Sequence, residues 1–188
     1  MNDSTTVLRL KKNEEKRLTS GHLWIYSNEI DTHISPLNQL NPGQAVELHS
    51  STGKWLAHAY ANPHSLICAR ITSRDPKYPM NKSLLIHRLK VALSLRERFY
   101  PEPFYRLVFG ESDLLPGLVV DRFGDVLVVQ ISTAGMEVLK EEIVAALDKV
   151  VQPVGMILRC NSGSRKLEGL SNYTEKVGEL PDETVLRE

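Results

Sequence analysis

The 188-residue chain carries 23 Lys and Arg against 23 Asp and Glu, so its net charge is zero, and 41% of its residues are hydrophobic. That is enough apolar material for one large domain or two small ones, and no run approaches the ~20 apolar residues of a bilayer span. Two cysteines give no disulfide framework, and the polar start, Met1 to Leu18, offers no signal peptide, so a cytoplasmic location is expected.

Residues 1–73 read as a small, mostly β domain. Val7 to Lys11 alternates apolar and polar, as a half-buried strand does. Asn13 can cap a short helix through Leu18, which Ser20-Gly21 stops. Trp24-Ile25-Tyr26 follows as an aromatic strand. Further strands are expected at Ala45 to His49, Lys54 to Tyr60 and Leu66 to Ile71, separated by Asn-Pro-Gly, Ser-Thr-Gly and Asn-Pro turns. Short strands at this spacing point to a small barrel or sandwich.

Arg74 to Pro79 looks like a linker. Residues 80–188 then read as an α+β domain. A helix over Met80 to Phe99 carries Leu85, Leu89, Ala92 and Leu93 on one face, widened by Leu84, Val91 and Leu95, which predicts a well-buried helix. Pro101 and Pro103 end it. A strand over Tyr105 to Phe109, a hairpin of Leu118 to Val120 with Val126 to Ile131, a helix over Gly135 to Val150 and a strand over Met156 to Cys160 follow. From Gly169 onward no regular pattern persists, and the chain closes in an acidic, loop-like tail.

Charge is segregated along the chain. Arg70 to Arg106 holds nine basic and three acidic residues, whereas Leu107 to Asp148 holds two basic and eight acidic. Lys11, Lys12, Lys16 and Arg17 cluster on and beside the first helix, where cations can neutralise backbone phosphates. Beside them, Trp24 fits either a core position or a stacking platform, with core favoured, and His22 at the loop edge could contact a base. Glu111 and Asp113, ahead of Leu115-Pro116-Gly117, read as an exposed acidic loop and not as a buried pair.

The wording Gly110-Glu111-Ser112-Asp113-Leu114-Leu115-Pro116-Gly117-Leu118, followed by Val120-Asp121-Arg122-Phe123-Gly124-Asp125, resembles the central-domain signature of a family of S-adenosylmethionine-dependent methyltransferases. That family makes 5-methylcytosine in ribosomal RNA. Nearer the start, Gly21-His22-Leu23-Trp24-Ile25-Tyr26-Ser27-Asn28 resembles the same family's PUA-type RNA-binding pseudo-barrel, with Leu23 in place of a usual proline. Pro42 to Val46, Gly53 to Ala57, Asn62 to Ile67 and Arg70 continue the likeness in order.

The resemblance implies a PUA-type β pseudo-barrel at residues 1–73 and a mixed α/β sandwich at 80–188. It implies ribosomal RNA as partner and S-adenosylmethionine as the family's cofactor. It also places the loop of Glu111 and Asp113, with Arg122 in the signature, near the family's cleft between central and catalytic domains, to position the target nucleotide or the partner domain. No acidic-x-Gly-x-Gly loop of a cofactor-binding βα unit is found. The expectation is therefore that the Rossmann-like methyltransferase domain is absent, that no cofactor is bound by this chain, and that the chain is the RNA-recognition half of such an enzyme. A free-standing RNA-binding protein and a dimerisation or docking module, hence a possible homodimer, are the rival readings.

No catalytic residue is expected: Cys68 sits inside a predicted strand and Cys160 at the end of another, and both read as small buried hydrophobes. The six histidines, at 22, 33, 49, 58, 64 and 87, have no metal-ligand spacing, so no metal is expected.

Overall fold

The computed structural model describes residues 5–180, and the chain divides after Met80 into two compact units. The first unit is one five-stranded sheet in the order β1-β3-β4-β5-β2, built from β1 (Thr6–Arg9), β2 (Trp24–Ile25), β3 (Gln44–His49), β4 (Trp55–Ala61) and β5 (Ala69–Ser73). β1 lies parallel to β3, and the other pairs are antiparallel. Beyond the sheet, Leu10 forms an antiparallel bridge with Ile30, and the Lys11 N–H donates to the Glu29 carbonyl at 2.8 Å. These contacts join the chain leaving β1 to the chain leaving β2, so the sheet's two outer strands are tied to each other. Leu8, Leu10, Leu18, Ile25, Ile30, Val46, Leu48 and Ile71 fill the interior.

The sequence expectations shift here in detail. Helix α1 (Glu15–Thr19) has Glu14 at its N-cap position with no side-chain capping bond, while Asn13, the expected cap, takes a left-handed φ of 72° and turns the chain ahead of it. The last strand is displaced: Leu66 is exposed, and pairing begins at Ala69.

The second unit is a five-stranded sheet in the order β10-β9-β8-β7-β6, from β6 (Phe104–Phe109), β7 (Leu118–Phe123), β8 (Val126–Ile131), β9 (Gly155–Cys160) and β10 (Tyr173–Gly178). β6, β7 and β8 form an antiparallel meander, β8 and β9 are parallel, and β10 returns antiparallel. Parallel neighbours need a crossover, which α3 (Ala134–Val138) and α4 (Lys140–Val151) supply. Helix α2 (Lys82–Phe99), capped by the Asn81 side chain accepting from the Leu84 N–H, packs beside α4. Leu85, Leu89 and Ala92 of α2 meet a core that includes Ile143, Leu147, Val120, Leu127 and Val129. The expectation of a well-buried α2 with Val91 and Leu95 widening its apolar stripe is corrected, since Val91, Leu95 and Phe99 are 57%, 45% and 73% exposed.

Two further corrections concern the later chain. The single helix expected over 135–150 breaks at Leu139, whose ψ of 12° interrupts the helical ladder. The segment expected to be irregular after Gly169 forms β10; residues 181–188 of the expected acidic tail lie outside the described residues. A short helix α5 (Gly163–Leu167) joins β9 to β10.

Candidate nucleic-acid interface

The basic cluster on the first unit separates into two kinds of cation. The Arg17 guanidinium donates from Nη2 to both carboxylate oxygens of Glu29, at 2.6 and 2.7 Å, and to the Trp24 carbonyl at 2.9 Å. Glu29 is buried and also accepts from the Tyr26 N–H at 2.7 Å. The same guanidinium stacks over the Tyr26 ring at 5.1 Å. A charge held this way is a structural clamp, because a buried carboxylate requires a partner. Lys11 is exposed, but its Nζ donates to the Asn28 carbonyl at 2.8 Å, which fixes its direction. Lys12 and Lys16 are exposed and enter no ion pair among the described residues. Of the four expected phosphate contacts, these two are the ones open to a ligand.

Trp24 is 39% exposed on the two-residue edge strand β2, where it lies opposite Arg70. This corrects the favoured core reading: Ile25 takes the interior position and Trp24 faces outward, as alternation along a strand requires. His22 is exposed just before it, and its carbonyl accepts from Arg74 at 2.9 Å. Burial lowers the pKa of that Arg74 guanidinium. Arg74 is a member of this edge that sequence reasoning placed in a linker. An exposed indole beside His22, tied by Arg17 and Arg74, forms a surface on which an unpaired base can stack.

The acidic loop of the second unit is built differently from its expectation. Asp113 is a buried pair: its carboxylate receives Arg96 from α2 at 2.5 and 2.7 Å, and the Phe109 N–H at 2.6 Å. Its side chain is 8% exposed. Arg88, about two helical turns earlier, donates to the Leu114 carbonyl. The turn they hold contains Leu114 in a left-handed conformation, φ 59°, an unusual state for a branched residue. Asp113 therefore holds the turn together and presents no free carboxylate; Glu111 is half-buried in the same turn. Arg122 is also engaged inward, donating to the Gly124 carbonyl and to the Tyr105 hydroxyl at 3.1 Å.

Part of the basic stretch from Arg70 to Arg106 is engaged in the same way, while Lys77, Lys82, Lys90 and Arg98 are exposed and enter no ion pair among the described residues. Arg70 is buried, Arg96 binds Asp113, and Arg106 binds Asp121 at 2.8 Å. Cys68 and Cys160 are buried, and desolvation pushes the Cys68 thiol up to about 12, far from a nucleophile's range. Among the described residues no group of three or more His, Cys, Asp or Glu is placed to hold a metal. No described helix is long and apolar enough to cross a membrane.

Residues 8–74 match the model of a PUA-like domain. At the level of fold, the chain is similar to a putative SAM-dependent methyltransferase from Streptococcus mutans, with a TM-score of 0.75 at 21% identity, covering 94% of this chain and 44% of that one. It is also similar to a putative methyltransferase complexed with SAH, with a TM-score of 0.73 at 20% identity, covering 96% of this chain and 44% of that one.

More specifically, the chain is 35% identical to Ribosomal RNA large subunit methyltransferase I of Photobacterium profundum over 185 residues, 96% of this chain and 46% of that protein. The protein of the same name from Aliivibrio fischeri is 35% identical over 188 residues, 98% of this chain and 47% of that one. The chain spans about half the length of the curated relatives it matches.

These matches overturn three expectations. The fold class was drawn with a Rossmann-like methyltransferase domain absent. That absence is withdrawn, because nearly the whole chain aligns with methyltransferase structures and its second sheet is mixed, with the parallel β8–β9 crossover. The reading as a recognition half lacking its catalytic part, with its non-enzymatic rivals, is likewise withdrawn, since relatives aligned over 96% or more of the chain carry the methyltransferase name. The assignment of no cofactor to this chain goes with it.

The carboxyl ends of β8 and β9, where parallel strands commonly open a ligand crevice, do not fit S-adenosylmethionine. They are filled by the chain itself. Arg165, fully buried, donates to the Ile131 carbonyl at 2.5 Å and to Glu137 at 2.8 Å, and Glu168 accepts from the Ala134 N–H.

Proposed function

We propose that this chain acts in S-adenosylmethionine-dependent methylation of ribosomal RNA, with cytosine C5 as the methylated position. The 35% identity to proteins named as large-subunit ribosomal RNA methyltransferases, held over nearly the whole chain, carries the reading. The geometry supports the RNA part of it. Exposed Lys12 and Lys16 attract phosphate, and Trp24 with His22 offers a stacking edge on the PUA-like unit. The signature loop belongs to this reading as a positioning element: Arg96, Asp113 and Arg88 hold the Phe109–Leu114 turn rigid, with Glu111 within it. Residues 1–73 are read as the PUA-like RNA-binding domain and 80–188 as the α+β domain that carries the signature loop. A cytoplasmic location follows from a ribosomal RNA substrate; a homodimer has no observation behind it.

Deleting the gene and mapping modified nucleotides of the large ribosomal RNA by mass spectrometry tests the proposal. One 5-methylcytosine is expected to vanish and to return on complementation. An unchanged modification map overturns the reading. Loss of a methyl group at another base or ring position keeps the methyltransferase and removes the cytosine C5 assignment.

A further inference from the structure

Among the described residues, the second unit's sheet has one face covered by helices and one that carries no helix, with Leu180 lying against the latter only at its Gly155 end. On β10, Lys140 of α4 reaches Glu175 at 2.5 Å and stacks over Tyr173 at 5.0 Å, so these alternate residues face the helices. Thr174 and Lys176, between and beside them, point the other way and are exposed. Away from the Val126–Gly155 end, the register carries that helix-free side through all five strands. One row runs Arg106–Asp121–Val128–Ile157–Lys176 through all five strands. Next to it, Phe109 pairs with Val119 and Val119 with Gln130, while Arg159 pairs with Thr174.

The charge on this face is one-sided. Asp121 is its one acid in these rows and is already bound to Arg106 at 2.8 Å. Arg159 and Lys176 are exposed and enter no ion pair among the described residues. Phe109 is 54% exposed, with the Arg106 guanidinium over its ring at 5.3 Å. Half-buried Val119, Val128 and Ile157 give the middle of the face an apolar floor. Cations at one side, an exposed aromatic at the other and an apolar floor between them match an unpaired nucleic-acid strand, whose phosphates and base faces lie side by side.

We propose that this helix-free sheet face is a second RNA-binding surface, taking a single-stranded segment with phosphates on Arg159 and Lys176 and a base on Phe109. The proposal rests on the RNA reading above and adds a site on the other unit of the chain. A protein partner is the competing occupant, and it would leave RNA affinity untouched by changes here.

The test is the anisotropy of a labelled single-stranded oligoribonucleotide titrated with the full chain across a salt series. The chains compared are wild type, Arg159→Ala/Lys176→Ala, Phe109→Ala and Lys12→Ala/Lys16→Ala, each with its thermal unfolding curve recorded. Removing two phosphate contacts should reduce the log–log salt slope by about 1.4, at ~0.7 per contact for a single strand. Phe109→Ala should weaken binding roughly tenfold with the slope kept, since stacking releases no counterions. If the Lys12/Lys16 pair flattens the slope while the Arg159/Lys176 pair and Phe109→Ala match wild type, the sheet face is overturned and the RNA reading stands. If wild type does not bind at all, the RNA-binding part of the proposed function fails, and this surface fails with it.

Discussion

At the scale of single residues, charge in this chain is divided between holding the fold and facing outward, and burial decides which. Arg17 and Lys16 are neighbours in sequence, yet Arg17 closes on a carboxylate that is 8% exposed while Lys16 stands in water. Truncating Arg17 leaves Glu29 buried with the Tyr26 N–H as its remaining donor among the contacts described, and a buried acceptor stripped of its partner costs about 2 kcal/mol. Arg17→Ala should therefore lower the urea midpoint of the chain. Lys12→Ala and Lys16→Ala should each stay within ~0.5 kcal/mol of wild type, as exposed substitutions do. Equal midpoints for Arg17→Ala and Lys16→Ala would return Arg17 to the set of free cations. A quadruple replacement of the cluster would mix the two effects, which is why the single variants are the informative ones.

At the scale of elements, the Leu115-Pro116-Gly117 turn shows how a signature can be a packing requirement. Gly117 has a φ of 86°, and a Cβ placed there would sit 2.1 Å from the Thr133 hydroxyl oxygen, itself buried. Gly117→Ala combines backbone strain with a clash against a side chain that cannot retreat. It should destabilise the chain by at least about 2 kcal/mol in chemical denaturation; a near-neutral result would mean that the turn relaxes. The hairpin after this turn was legible because Val, Leu and Ile runs bounded by Pro, Gly and Asp fit few other structures. The strand extends further than those runs, through Asp121, Arg122 and Phe123, because ladder pairing with β6 and β8 continues where hydrophobicity stops. β10 was illegible for the same reason. Thr174-Glu175-Lys176 has no apolar alternation, and its pairing is set by the backbone of β9. The break at Leu139 carries no Pro or Gly to announce it. In the candidate site, Lys12, Lys16 and His22 could be found from charge and turn position. The Arg17–Glu29 and Arg96–Asp113 clamps could not, because each joins residues more than ten apart through turns placed by tertiary contacts.

At the scale of the whole molecule, the two units each close a core of their own. The first unit's core uses Leu8 through Ile71, and the second begins with Leu85 of α2. Between them Arg74 to Pro79 is exposed throughout, held by local contacts such as Lys77 N–H to Asp75 and Tyr78 N–H to the Asp75 carbonyl, and by two longer ones, Arg74 to the His22 carbonyl and His58 Nε2 to the Pro76 carbonyl at 3.1 Å. Such a segment can open locally without disturbing either core, and opening is what a protease needs. We propose this segment as the domain boundary. Trypsin has two sites in it, after Arg74 and after Lys77. Arg74 is restrained by its bond to the His22 carbonyl, so the bond after Lys77 should be cut first. Brief digestion should then separate the chain between Lys77 and Tyr78 before any cut inside either unit's core elements, read by intact mass. Helix α2 offers Lys82, Arg88, Lys90, Arg96 and Arg98 to the same enzyme. Its backbone hydrogen bonds and its Leu85, Leu89 and Ala92 contacts must break before any of them is reached. First cleavage within α2 would show that the helix is less stable than the segment before it, and the boundary would have to move into the second unit.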